Sequence, residues 1–91
     1  MPQSRTIKVR ISGLVQGVGF RAWTLQRASA LGLTGWVRNC DNGDVEAVFS
    51  GPPDAVSAML AACRDGPRHA DVHRVDLLGQ AAPPVGPFRI E

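Results

Sequence analysis

The sequence predicts an α+β sandwich in which two helices lie on one face of an antiparallel sheet. Three observations carry this. Short segments of alternating polarity are interrupted by two stretches with helical spacing. Asn42-Gly43, the strongest short hairpin signal, stands between the second and third alternating segments. Each helical stretch lies between two strands, and right-handed crossovers then place both helices on the same side.

The elements follow in order. Residues 6–12 alternate, with Ile7, Val9 and Ile11 on one face and Lys8, Arg10 and Ser12 on the other, as a half-buried strand does. A turn over 14–19 leads to a helix over about 20–31, in which Ala22, Leu25, Ala28 or Ser29, and Leu31 recur at helical spacing and Gly32 is the stop. The second strand covers roughly 34–40, and the third, over 45–50, folds back antiparallel on it. Gly51-Pro52-Pro53-Asp54 opens a second helix whose apolar face is Val56, Met59, Leu60 and Cys63, and Gly66-Pro67 ends it. A fourth strand over about 72–78 points Val75 and Leu77 inward. Pro83-Pro84-Val85-Gly86-Pro87 is an extended connector, and Phe88-Arg89-Ile90 adds a short last strand. The order βαββαβ plus a C-terminal strand is that of the ferredoxin-like α/β sandwich. With no internal repeat, linker or low-complexity tract, a single domain over 1–91 is expected.

Composition narrows the function classes. A hydrophobic content of 44% suits an ordinary globular core. No apolar run reaches the length of a membrane span and the N-terminus lacks a signal-peptide core, so a cytoplasmic location with no membrane partner is expected. Cys40 and Cys63 show neither CxxC nor Cys/His ligand spacing, which favours reduced thiols over a disulfide or a metal site. The net charge of +2 hides an asymmetry. Arg5, Lys8, Arg10, Arg21, Arg27 and Arg38 precede any acid, whereas residues 41–91 hold all eight acids and four arginines. Such polarity points to an anionic partner. For Arg5, Lys8, Arg10 and Arg27 a solvated basic face is the simpler reading. Arg21 differs because of where it stands.

Gly13-Leu14-Val15-Gln16-Gly17-Val18-Gly19-Phe20-Arg21 runs from a strand through a glycine-bearing turn to the start of a helix. A helix N-terminus is partially positive, so a cation there is disfavoured unless an anion lies between. The same place presents unpaired N–H groups to one point, a site for phosphate or a similar oxyanion. Gly17 and Gly19 alone favour a simple tight turn over an anion nest. Their spacing is neither a P-loop nor a dinucleotide fingerprint, and the P-loop lysine is missing. Arg21 tips the balance, because its planar guanidinium can clamp two phosphate oxygens while loop amides hold the others. Asn39 shares a strand face with Val37 near the hairpin end. It is either a strand-end polar residue or a carboxamide that holds a water, and position alone leaves these even. His69 and His73 read as surface or strand residues rather than general bases, and the carboxylates form no acid pair or metal cluster. Any chemistry here runs on positioning and electrostatics, which suffices for phosphoryl transfer.

The segment 13–21 and the later Gly35-Trp36-Val37-Arg38-Asn39, with Asn42-Gly43-Asp44-Val45-Glu46 just after, resemble the two signature segments of acylphosphatases. Residues 66–72 and the ending Phe88-Arg89-Ile90 are also similar to that family, so the likeness covers nearly the whole chain. The resemblance implies hydrolysis of acyl phosphates to carboxylate and inorganic phosphate by in-line attack of water. By position it assigns Arg21 to the phosphoryl group, the backbone amides of Gln16, Gly17, Val18, Gly19 and Phe20 to the rest of the cradle, and Asn39 to the attacking water. It implies no cofactor, no metal and no phosphoenzyme. A monomer is expected, and inorganic phosphate, as both product and ligand of the loop, is expected to inhibit competitively. Gly19 also occurs in related domains fused to hydrogenase-maturation factors, but those continue with proline after the arginine, where Ala22 stands here. A free-standing enzyme is the expectation.

Two other readings stay in view. A phosphate-binding module could keep the cradle without turnover. RNA-recognition domains share the βαββαβ order, yet Phe20, Phe49, Phe88, Trp23 and Trp36 supply no aromatic pair on adjacent central strands, so no nucleic-acid partner is expected.

Overall fold

A computed structural model describes residues 3–91. The described residues form β1 (Arg5–Leu14), α1 (Phe20–Ala30), β2 (Thr34–Asn39), β3 (Val45–Gly51), α2 (Pro53–Asp65), β4 (Asp71–Gln80) and β5 (Arg89–Ile90). The sheet order is β4-β1-β3-β2-β5, and the βαββαβ arrangement is the ferredoxin-like one anticipated. None of the described helices is long and apolar enough to cross a membrane.

β1 and β3 lie at the centre. Their antiparallel register sets Ile7 opposite Phe49, Val9 opposite Ala47 and Ile11 opposite Val45, and all six are buried under the helices. Phe20 and Ala28 of α1 and Val56, Met59, Leu60 and Cys63 of α2 close this core from above. Each of the larger buried side chains contributes about 1.5–3 kcal/mol relative to exposure. Burial also pushes the Cys63 thiol up to about 12, so it stays neutral and packs as a small hydrophobe. Cys40 is half-buried, and both cysteines are free.

β5 joins the sheet beside β2, with Trp36 opposite Arg89 and Val37 opposite Ile90, and it runs parallel to β2. After β4 the chain crosses the sheet at one end and re-enters pointing back, opposite to β4 and hence along β2. Phe88 enters the core just before it, stacking on Phe49 with ring centroids 5.8 Å apart. The last strand thereby ends at the same end of the sheet as β1 and β2.

Three local expectations are corrected. The buried face of α1 is Phe20, Thr24 and Ala28, and Ala22 is exposed. Thr24 can be buried because its hydroxyl donates to the Phe20 carbonyl at 2.8 Å. Leu77 lies opposite Val9 by register but is 52% exposed, since β4 is an edge strand with one flank open to solvent. Lys8 and Arg10 do not simply dissolve into water. Arg10 Nη2 and Arg38 Nη2 donate to the two carboxylate oxygens of Glu46 at 3.0 and 2.7 Å, and Lys8 Nζ lies 3.9 Å away. Glu46 is only 5% exposed, and the Arg38 and Arg10 guanidiniums hold its carboxyl below the ordinary carboxylate range against the opposing effect of burial. Arg38 and Lys8 also lie over the Trp36 ring, at 5.2 and 5.9 Å. These long side chains roof the outer face of β3, where Val48 and Ser50 are buried without a helix above them.

Candidate active site

At one end of the sheet, residues 15–19 carry the chain from β1 into α1. Val15 and Phe20 are buried and anchor the two ends of this loop. Between them Gly17 and Gly19 have φ of +75° and +77°, a region other residues rarely adopt, while Val18 keeps a negative φ. This alternation of sign turns successive backbone N–H groups toward one side, the geometry of an anion nest. A Cβ at either glycine would meet nothing within 4 Å, so conformation rather than space requires glycine here.

Gly19 is also the N-cap of α1. Among the described residues no side chain caps this helix, and its first turn holds no acid. The first helical hydrogen bond runs from Trp23 N–H to the Gly19 carbonyl at 3.0 Å, so the N–H groups of Phe20, Arg21 and Ala22 lack intrahelical acceptors. Arg21 stands in this first turn, exposed, with no ion-pair or hydrogen-bond partner among the described residues. A donor-rich helix end and a free guanidinium therefore face the same solvent space.

That space is a cavity of about 260 Å³ lined by Val15, Gln16, Gly17, Gly19, Phe20, Arg21, Ala22, Asn39 and Ile90. Asn39 is the last residue of β2, and no hydrogen bond engages its carboxamide among the described residues. Of the residues singled out from sequence, only Val18 is not in the lining. Its side chain packs against the core, which leaves its backbone as its contribution to the loop. The Gln16 side-chain Nε2, in contrast, is engaged, donating to the carbonyls of Cys40 at 2.7 Å and Asp44 at 2.8 Å. Ile90 was not foreseen. It reaches the cavity because β5 pairs beside Val37, a long-range partnership for which the local sequence carries no signal. Arg21 is the only ionisable side chain in the lining, which holds neither a carboxylate nor an imidazole.

On the other side of the β2 end lies a larger depression, about 360 Å³, lined by Arg10, Arg38, Asn39, Cys40, Asp41, Asn42 and Glu46. Its arginines are already engaged by Glu46, so it offers an anion much less than the smaller cavity does.

The Acylphosphatase family model matches residues 7–90. A protein named Acylphosphatase from Azorhizobium caulinodans is 52% identical over 88 residues, spanning 96% of this chain and 95% of that one. This chain belongs to the acylphosphatase family. A second member, from Rhodospirillum rubrum, is 56% identical over 79 residues and 87% of each chain. The solved acylphosphatase of Coxiella burnetii superposes with a TM-score of 0.91 at 36% identity, covering 97% of this chain and 93% of its own. The family assignment read from the two sequence motifs is thus borne out, and with it that the chain is an enzyme, a hydrolase of acylphosphatase type. The matched span includes both motifs and the whole of β5, so every residue lining the smaller cavity lies within it.

Proposed function

We propose that this chain hydrolyses the carboxyl–phosphate bond of small acyl phosphates, releasing carboxylate and inorganic phosphate. One observation carries the reading. An unpaired guanidinium, a loop of free N–H groups and an unengaged carboxamide line a single cavity that contains no acid or base of the protein. The phosphoryl oxygens are held by the amides of residues 16–20 and clamped by Arg21. Asn39 accepts a hydrogen bond from the attacking water and aligns it with the phosphorus, opposite the carboxylate leaving group. As the new P–O bond forms, the bond to the acyl oxygen breaks and its electron pair leaves on the carboxylate. That leaving group is a weak base, so no general acid is needed at neutral pH. The water proton passes to a phosphoryl oxygen. Neither metal nor phosphoenzyme enters the scheme. The reading includes a monomer in the cytoplasm and competitive inhibition by inorganic phosphate.

The test is hydrolysis of benzoyl phosphate followed by ultraviolet absorbance in the presence of EDTA, comparing wild type with Asn39→Ala. The wild type is expected to turn over. The variant is expected to lose about 100-fold in kcat while its inhibition constant for phosphate stays within about threefold, because a water-aligning contact acts in the transition state. A normal kcat in the variant removes Asn39 from the mechanism. Phosphate binding without any turnover in folded wild type would make the domain a binding module instead.

A further inference from the structure

We infer that Gln16 is a positioning residue whose side-chain amide locks the Asn39 end of β2 against the phosphate loop. The inference rests on the reading of Asn39 given above and extends it. A primary amide has two N–H groups, and Gln16 directs both at carbonyls, those of Cys40 and Asp44, at 2.7 and 2.8 Å. Two carbonyl partners fix which end of the amide faces them, because its oxygen could donate to neither.

The hairpin does not need this amide to close. Gly43 N–H already donates to the Cys40 carbonyl at 3.2 Å, and Cys40 N–H to the Asp44 carbonyl at 2.8 Å. The turn is further braced by Asp44 N–H donating to Asn42 Oδ1 at 3.0 Å. What Gln16 adds is a link between segments 24 and 28 residues apart in sequence. That link falls where alignment matters. On one side, Gln16 precedes Gly17, so its own backbone belongs to the loop. On the other, Cys40 follows Asn39 directly, and the Asn39 carboxamide has no protein partner to orient it among the described residues. The place of Asn39 relative to the cradle is therefore set by the backbone at 39–40, and Gln16 is the side chain that ties this backbone to the cradle. Arg21 and the first N–H groups of α1 do not depend on the tie, since Phe20 and Val15 anchor that part of the loop in the core.

Removing the amide should thus separate kcat from phosphate binding. For Gln16→Met, unbranched and without a donor, kcat for benzoyl phosphate is expected to fall roughly 10- to 100-fold while the phosphate inhibition constant moves less than about threefold. The deciding variant is Gln16→Met combined with Asn39→Ala. If Gln16 acts through Asn39, the double variant is no slower than Asn39→Ala alone, whereas a general structural loss multiplies with it. Multiplied losses, or an unchanged kcat in folded Gln16→Met, overturn the inference and leave the role of Asn39 standing. A normal kcat in Asn39→Ala overturns both. Should Gln16→Met not fold, Gln16→Glu keeps the shape but, ionised, turns oxygens toward two carbonyls. Its activity relative to wild type is expected to rise as pH falls and the neutral carboxyl regains one donor, and a flat ratio overturns the inference.

Discussion

Arg21→Gln should stabilise the empty protein and weaken it in phosphate, a crossing that a structural arginine cannot produce. In the folded chain Arg21 has no partner among the described residues and sits in the first turn of α1, where no acid offsets its charge. Charge of the wrong sign at a helix end costs about 0.3–1 kcal/mol, so the neutral glutamine should raise stability by up to about that amount. For a domain of this length the shift in Tm is then up to roughly 4–8 °C per kcal/mol gained. With phosphate bound the balance reverses. Hydrogen bonds to a charged group are worth about 1.5–3 kcal/mol, and a clamp of one or two loses about 2–4 kcal/mol, or roughly 30- to 700-fold in affinity.

Urea unfolding with and without phosphate reads both effects in one experiment. At a phosphate concentration about 100 times the wild-type Kd, ligand binding adds about 2.7 kcal/mol to the wild type. A variant bound about 100-fold more weakly gains only about 0.4 kcal/mol under the same conditions. The variant midpoint should therefore lie at or above wild type in phosphate-free buffer and well below it in phosphate. Benzoyl phosphate hydrolysis should be abolished in the same preparation. A loss of more than about 1 kcal/mol without phosphate, or a phosphate-induced shift equal to that of wild type, would refute the reasoning.

Three further perturbations probe the scaffold. Gly19→Ala places a residue at φ +77° but meets no atom within 4 Å, so a loss of about 1–2 kcal/mol with the loop retained is expected in urea unfolding. Gly35→Ala would set a Cβ 1.8 Å from the Val48 carbonyl oxygen, inside the β2–β3 ladder, and a loss above about 4 kcal/mol or failure to fold is expected. Glu46→Gln should lose about 1–2 kcal/mol at pH 7, a modest figure because its arginine partners are nearly half exposed. Since the folded protein lowers the Glu46 pKa, its contribution is present above the unfolded value of about 4.3 and disappears as pH falls through the lower folded value. The urea midpoints of wild type and Glu46→Gln should accordingly converge in acid.

Periodicity and punctuation disclosed much of the fold because β1 and β2 bury one face of alternating residues. Ile7, Val9 and Ile11 state their direction in the sequence itself. Where the prediction slipped, burial was decided by something other than local polarity. Thr24 is polar by type yet core by location, its hydroxyl satisfied by its own helix, and its presence rotated the apparent apolar face toward Ala22. Leu77 alternates correctly, but its strand is at the edge, which only the sheet order reveals. At the site, the glycines and Arg21 were legible because a helix start has fixed electrostatics. Ile90 and the side-chain role of Gln16 were not, since each depends on a partner segment far away in sequence.

The arginines flanking the β2 end differ in what they can do for a ligand. Arg10 and Arg38 converge on Glu46 with hydrogen bonds of 3.0 and 2.7 Å, so their charge is spent on the sheet before any ligand arrives. Arg21 shares the charge and the exposure but lacks the carboxylate, and it stands where its own helix opposes it. Local rules are broken in a stable fold chiefly where function requires it. Here the unfavourable element is a cation among donors, and an oxyanion removes the conflict by satisfying both together. Binding is then favoured by relief of repulsion in addition to new contacts, and the more negative the bound oxygens, the larger that relief. In the proposed reaction charge spreads over the transferring phosphoryl oxygens, so the arrangement proposed to bind phosphate would also lower the barrier to its transfer, with no protein base lining the cavity among the described residues.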